Sequence, residues 1–120
     1  MKIHSNTFKT GDIVIVAFPF TDTDQTKNRP ALVLSEEKQF NTATGHTILA
    51  MITSSLHSPW PHDIPITHLT ACGLVKASII RFKLFTLDNR LIPTVIGHLS
   101  PSDLKPVQRH LKKTFRSLLS

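Results

Sequence analysis

The chain has 120 residues, 40% of them hydrophobic, and a formal net charge of +6. This length favours one domain spanning residues 1–120, and no apolar run approaches the ~20 residues that a membrane-spanning helix needs. The single cysteine, Cys72, excludes an internal disulfide, and the excess of Lys and Arg favours a polyanionic partner, either nucleic acid or an acidic protein.

Short strands dominate the predicted secondary structure. Residues 13–18 form an apolar run rich in β-branched side chains, and Pro19 ends it because proline cannot donate a ladder hydrogen bond. A polar loop over residues 21–28 separates this strand from a second one at 30–35. The remaining strands are predicted at 47–52, 64–66, 78–86 and 91–99.

Only the C-terminal segment predicts a helix. Ser100 and Ser102 are both suitable N-caps, and Pro101 and Asp103 suit a first helical turn. Apolar residues then recur at helical spacing at positions 104, 107, 111, 115 and 118. The pattern therefore indicates a small antiparallel barrel or curved sheet, mainly β with a C-terminal α-helix.

The loop between the first two strands carries the strongest candidate site. It contains Lys27 and Asn28 and leads to Arg29, which the rigid Pro30 and the following strand hold in place. A guanidinium held in this way suits bidentate recognition of a phosphate, although a salt bridge near the strand start is the alternative role. Because a guanidinium stays protonated at neutral pH, we expect it to stabilise charge, with general-acid work as the alternative.

Polar residues on later strands are candidates to extend this site. The hydroxyls of Thr53 and Ser54 follow the third strand, where such residues also cap turns. Arg81 and Lys83 occupy alternate positions of a later strand, so we expect both on one face of the sheet. Together with Arg90 they would extend a positive groove.

Histidines and aromatic residues offer further candidates. His57 and His62 flank a Ser-Pro-Trp-Pro loop, and a histidine with a near-neutral pKa can transfer protons during attack by a 2′-hydroxyl. Phe20 and Trp60 lie in proline-containing loops and are candidates for stacking on bases. The seven His, one Cys and eight acidic residues show no spacing typical of a zinc site or a two-metal nuclease. We therefore predict neither a metal nor a cofactor.

A series of motifs resembles the PemK/MazF/Kid toxins, which are the ribonuclease components of bacterial toxin–antitoxin pairs. The motifs are Gly-Asp-Ile-Val at 11–14, Phe-Pro-Phe-Thr-Asp at 18–22, Arg-Pro-Ala-Leu-Val-Leu-Ser at 29–35, Ile-Thr-Ser at 52–54, Gly-Leu-Val-Lys-Ala-Ser at 73–78, Thr-Leu-Asp-Asn-Arg-Leu at 86–91 and Ile-Gly-His-Leu-Ser at 96–100. The resemblance covers residues 9–118 and implies a small SH3-like barrel of the PemK/MazF/CcdB type and a homodimer.

The same resemblance implies an activity, namely sequence-selective, metal-independent cleavage of single-stranded RNA, especially mRNA, by 2′-hydroxyl attack. It implies that Arg29 and Thr53 are catalytic and that the loop with Asp24 and Lys27 covers the site and touches RNA. Asp24 is a candidate base, and Ser54 is a further possible catalytic hydroxyl. The clearest departure is Lys83, because some relatives have an acidic residue near this position with a proposed general-base role. The general base is therefore unassigned.

The implied partners are RNA, a second copy of the chain and a cognate antitoxin whose disordered tail blocks the RNA groove. DNA is reached only indirectly, through the antitoxin at an operator, and no membrane is involved. Residues 1–6 lack the apolar region of a secretory signal, so a cytoplasmic protein is expected.

Two other functions stay open at this point. The same barrel occurs in CcdB-like toxins, which poison DNA gyrase and do not cut RNA. A degenerate family member would bind RNA or an antitoxin but no longer cleave, and Lys83 keeps this alternative open.

Overall fold

The computed structural model describes residues 7–19, 26–54 and 59–120, apart from the side chains of residues 18, 19 and 26. In this part of the chain, one sheet of six strands has the order β4-β5-β3-β2-β1-β6, and every pairing is antiparallel. The strands are β1 Asp12–Pro19, β2 Thr26–Val33, β3 His46–Thr53, β4 Ile64–Pro65, β5 Ile79–Asp88 and β6 Thr94–His98.

The predicted strands are confirmed, but the second begins earlier than expected. The sequence pattern predicts a loop through residue 28, whereas β2 starts at Thr26 and pairs Lys27 with Phe18 and Asn28 with Ala17. Lys27 and Asn28 are exposed, so this extension carries no apolar alternation. Pairing with β1, rather than burial, therefore determines its length.

The predicted C-terminal helix is confirmed as α1, Pro101–Thr114, followed by the short helix α2, Arg116–Leu119. Ser100 is its N-cap, because its hydroxyl accepts a hydrogen bond from the backbone N–H of Asp103 at 3.2 Å. The helix continues through Pro106. Among the described residues, no helix is long and apolar enough to cross a membrane.

A π-helical segment, Glu37–Thr42, was not predicted. It is held by Asn41, whose side chain is fully buried and donates to the carbonyl oxygens of Phe8 at 2.7 Å and Ser35 at 3.0 Å. The carbonyl of Asn41 in turn accepts from the side chain of Asn89 at 2.8 Å. Because these partners are distant in sequence, local periodicity gives no sign of the segment.

Both faces of the sheet are covered. Along β1, Ile13 packs into one apolar cluster, whereas Val14 packs into a second, as expected where successive side chains point to opposite faces. The first cluster includes Val107 of α1 and Ile64 of β4, which fits a sheet that curls into a half-barrel around the helix. The second is closed by Phe8, Ile92 and their neighbours.

A bulge interrupts the pairing of β3 with β5. Ala50 pairs with Leu84, but the next residue, Met51, pairs with Arg81. Phe82 and Lys83 are therefore two extra residues on β5. Because the insertion is even, alternation continues through it: Ile80, Phe82 and Leu84 pack on the first cluster, and Phe85 packs on the second.

Candidate active site

A cavity of about 320 Å³ opens where β2 and β3 separate. The two strands pair at Ala31–Met51, and no pairing extends beyond it toward the start of β2. Pro30 has no N–H to donate to β3, which is consistent with the end of the ladder at this point. Polar side chains line the cavity: Lys27, Asn28, Arg29, Ser54, Lys76 and Ser78.

The strand register relates Arg29 to Thr53. The β2–β3 pairs fall at 33–49, 32–50 and 31–51, so continuing the same register would place Arg29 opposite Thr53, although the pairing ends before this step. Arg29 is half-buried and is held from its other side by pairing with Val16 of β1.

The two hydroxyls after β3 have different exposure. Thr53 is only 5% exposed and is not among the residues that line the cavity, whereas Ser54 is exposed and lines it. In the described structure, Ser54 is therefore the hydroxyl that the cavity presents to a ligand, and Thr53 is buried.

The electrostatics of the cavity are one-sided. Lys27, Arg29 and Lys76 contribute positive charge, and no Asp or Glu is found among the described lining residues. The apolar side chains of Ile15, Ile52 and Ile96 also line the cavity and exclude water from that side. Such a setting attracts a phosphate and strengthens its interaction with a guanidinium.

Arg81 differs from the expectation that it joins this positive groove. Its Nε donates to Oδ1 of Asp63 at 3.1 Å and its Nη2 to Oδ2 at 2.9 Å, and the two side chains are only 10% and 11% exposed. The ring of Trp60 covers the guanidinium at 5.5 Å. Although burial raises the pKa of Asp63, the hydrogen bonds from Arg81 and the Trp60 backbone outweigh it, so this pKa is lowered.

The contacts of Arg81 give the physical reason for this difference. Asp63 and the ring of Trp60 bury its guanidinium, whereas Lys83, which lies in the bulge, is exposed. Arg90 is exposed as well, but its guanidinium is paired with Asp88 at 2.8 Å. Neither Lys83 nor Arg90 lines the cavity with Arg29.

His62 is tied to the helix rather than to the cavity. Its Nδ1 lies 2.9 Å from Nδ1 of His110 on α1, and it has a positive φ of 67°. Burial lowers the pKa of His110, and the neighbouring His62, Lys113 and Arg109 lower it further. Trp60 is 42% exposed, so one of its faces is available to a ligand.

Three other predicted site residues, Phe20, Asp24 and His57, lie outside the described residues. Among those that are described, no group of three or more His, Cys, Asp or Glu side chains is arranged to hold a metal ion.

Sequence reasoning gave no role to Lys76 and Ser78, which the structure brings to the cavity. They come from residues 73–78, a segment that is far in sequence from Arg29. The only signal for this segment was its place among the family-like motifs, and that signal did not indicate which side chains face the site.

Comparison with known proteins identifies the family of this chain. A family model described as PemK-like, MazF-like toxin of type II toxin–antitoxin system matches residues 9–115. A comparison with curated proteins gave no match.

Solved structures of similar fold cover most of the chain. MazF from Deinococcus radiodurans is 24% identical, with 91% of this chain and 96% of that chain covered and a TM-score of 0.70. The Mycobacterium tuberculosis toxin MazF-mt6 is 19% identical, with coverages of 88% and 96% and a TM-score of 0.67. An endoribonuclease in complex with its cognate antitoxin, from a mycobacterial species, is 13% identical, with coverages of 90% and 92% and a TM-score of 0.68.

These structural likenesses confirm the predicted fold class, a mainly β half-barrel with a C-terminal helix. The family match extends over nearly the whole chain and includes every described strand. The chain belongs to the PemK-like, MazF-like toxins of type II toxin–antitoxin systems.

Proposed function

We propose that this toxin is a sequence-selective, metal-independent endoribonuclease that cleaves single-stranded RNA, in particular mRNA. The observation that carries the proposal is the cavity at the β2–β3 separation, where Arg29 and Lys27 lie beside a hydroxyl and no carboxylate is among the described lining residues. A site of this charge suits a phosphate whose negative charge increases in the transition state.

The proposed reaction is an intramolecular transfer. The 2′-oxygen of the nucleotide attacks the adjacent phosphorus, the bond from phosphorus to the 5′-oxygen breaks, and a 2′,3′-cyclic phosphate and a 5′-hydroxyl result. The proton of the 2′-hydroxyl passes to a base, and a proton is delivered to the leaving 5′-oxygen. Arg29 stabilises the phosphoryl oxygens, since a guanidinium stays protonated at neutral pH and cannot serve as the base.

The hydroxyl groups would assist Arg29 by donating to a phosphoryl oxygen. The family resemblance assigns this role to Thr53, and the exposure of Ser54 makes it the more accessible of the two. We include both in the proposed site. Asp24 and His57 are the candidates for proton transfer, whereas His62 is engaged with His110 in the described structure.

Three further components belong to this proposal. The toxin acts as a homodimer, is neutralised by a cognate antitoxin and reaches operator DNA only through that antitoxin. Solved structures of similar fold include MazE–MazF from Deinococcus radiodurans and the mycobacterial complex with its cognate antitoxin. The net charge of +6 suits an acidic antitoxin segment. Lys27, Asn28, Phe20, Trp60 and the exposed Lys83 are the proposed RNA contacts.

The proposal is tested by incubating the purified protein with a long single-stranded RNA in excess EDTA, beside a DNA of the same sequence. We expect discrete cuts in the RNA only. Arg29→Ala should lower the cleavage rate by about 10²- to 10³-fold while leaving the protein folded, as expected for loss of one electrostatic donor. Thr53→Ala and Ser54→Ala test the hydroxyls. Arg116→Ala, which removes an exposed arginine from α2, is the matched control.

Two results would overturn the proposal. An Arg29→Ala protein that cuts at the wild-type rate would remove Arg29 from the mechanism. A folded, antitoxin-free wild type that leaves RNA intact would favour a non-cleaving toxin, and binding to DNA gyrase would then distinguish a gyrase poison from a degenerate RNA- or antitoxin-binding member.

A further inference from the structure

The cavity has a third wall, formed by the segment of residues 73–78, and backbone contacts fix it. Gly73 has a φ of +72°, and a Cβ on it would lie 2.3 Å from the carbonyl oxygen of Ile96. A Cβ on Gly97 would lie 2.3 Å from the backbone of Cys72. Two glycines thus allow the segment and β6 to touch, which larger residues would prevent.

Hydrogen bonds hold the segment near both of its ends. The N–H of His98 donates to the carbonyl of Ala71 at 2.9 Å, and the N–H of Ile66 donates to the carbonyl of Ser78 at 3.0 Å. We call residues 73–78 the rim. Because it is anchored before Gly73 and at Ser78, its position relative to Arg29 is built into the fold.

Lys76 is the charged residue that the rim presents. The hydroxyl of Ser78 donates to the carbonyl of Lys76 at 2.8 Å, which orients the backbone at this residue. The neighbouring Val75 is 95% exposed, so the rim projects into solvent at this point. Lys76 lines the cavity, and no ion pair found among the described residues involves it.

The size of the cavity exceeds what one phosphate needs. Its volume of about 320 Å³ lies within the range of roughly 300–1,000 Å³ for small-molecule pockets, so it accepts a group of nucleotide size. Arg29 and Lys76 are contributed by different walls, by β2 and by the rim. Two cations on separate walls of a cavity of this size can each take one phosphate of the same strand.

We propose that Lys76 binds a second phosphate of single-stranded RNA, adjacent to the phosphate that Arg29 holds. This subsite rests on the proposed ribonuclease function and adds a residue to it. Lys76 takes no part in proton transfer. It holds the neighbouring nucleotide so that the reacting phosphate is aligned with Arg29.

The first experiment measures RNA binding. After the cut site has been mapped, the wild type is titrated at several salt concentrations with a synthetic RNA whose cleaved nucleotide is 2′-deoxy. Each lost phosphate contact lowers the slope of log K against log salt by about 0.7 for a single strand. We expect this decrease for Lys76→Ala, its rescue by Lys76→Arg, and no decrease for Lys38→Ala, which removes an exposed lysine from the π-helical segment.

A second experiment identifies the phosphate. RNAs are prepared with one uncharged methylphosphonate at each position flanking the cut. At the position of the phosphate that Lys76 binds, the methylphosphonate should weaken RNA binding by the wild type. The same RNA should bind Lys76→Ala as well as the unmodified RNA does. Thermal unfolding of Lys76→Ala should match that of the wild type, since the side chain is exposed.

The outcomes separate this inference from the proposed function. A wild type that cuts RNA, together with a Lys76→Ala protein of unchanged salt slope and unchanged response to every methylphosphonate, would refute the subsite alone. If Lys76→Ala instead loses affinity only for an acidic antitoxin peptide, the rim is an antitoxin site and the inference is wrong. A wild type that cuts no RNA overturns both.

Discussion

The pair of Asp63 and Arg81 is predicted to stabilise the fold rather than to bind RNA, and Asp63→Asn tests this. The two side chains are about nine-tenths buried, and their bidentate contact spans 2.9–3.1 Å. Removing one charge leaves the other buried without compensation, which costs about 3 kcal/mol at the lower end of measured buried pairs. For a domain of this size, that corresponds to a decrease in Tm of about 12 °C.

The assay is thermal unfolding monitored by circular dichroism at neutral pH. Asp88→Asn is the matched control, because its partner Arg90 is 85% exposed, and its Tm should stay close to that of the wild type. The double variant Asp63→Asn/Arg81→Met should recover part of the loss, since no unpaired charge remains. A Tm for Asp63→Asn within about 2 °C of the wild type would refute the reasoning. If Asp63→Asn lost RNA binding without losing stability, Arg81 would instead belong to the RNA-binding groove.

Two further predictions concern the helix contact and the rim. Stability of the wild type should fall as the pH decreases through the ordinary histidine value of 6.5, because the pKa of His110 is lowered in the folded state and the unfolded chain binds the proton more readily. Urea unfolding at pH 5.5 and 7.5 should show a smaller difference for His110→Gln, and an equal difference would contradict the assignment. Gly97→Ala should lower Tm more than Gly45→Ala, because a Cβ on Gly97 meets backbone at 2.3 Å, whereas one on Gly45 meets nothing within 4 Å and costs only the backbone strain of a φ of +70°, about 1 kcal/mol. Equal losses in thermal unfolding would show that the rim is not packed against β6 as described.

The sequence predicts those parts of the structure that depend on local pattern. Apolar alternation indicates the strands, and a run of spaced apolar residues behind Ser100 indicates α1. The start of β2 was misplaced because Thr26, Lys27 and Asn28 are polar, and only their pairing with β1 makes them a strand.

Elements held by distant partners could not be predicted in this way. The π-helical segment depends on the buried side chain of Asn41, which donates to the carbonyl of Phe8, and on the side-chain amide of Asn89, which donates to the carbonyl of Asn41. Arg81 does not join the groove as expected because Asp63 and Trp60 bury it, and these partners come from a loop that no local pattern connects to β5.

In the candidate site, too, residues placed by local pattern were predicted and a residue placed by distant contacts was not. Arg29, Lys27 and Ser54 were predicted from the polar loop and from the end of the third strand, and the structure brings them to one cavity. Lys76 was not predicted, because its position depends on a close backbone contact between its segment and β6. Gly73 of the segment and Gly97 of β6 allow this contact.

The most direct test of the central claim is a single-atom change in the substrate. The RNA is cleaved by the wild type in EDTA, the cut is mapped, and the same RNA is remade with a 2′-deoxy nucleotide on the 5′ side of that cut. The account predicts that cleavage at this position is abolished while binding persists, because the attacking 2′-oxygen is gone. Continued cleavage at the modified position would contradict the proposed 2′-hydroxyl mechanism.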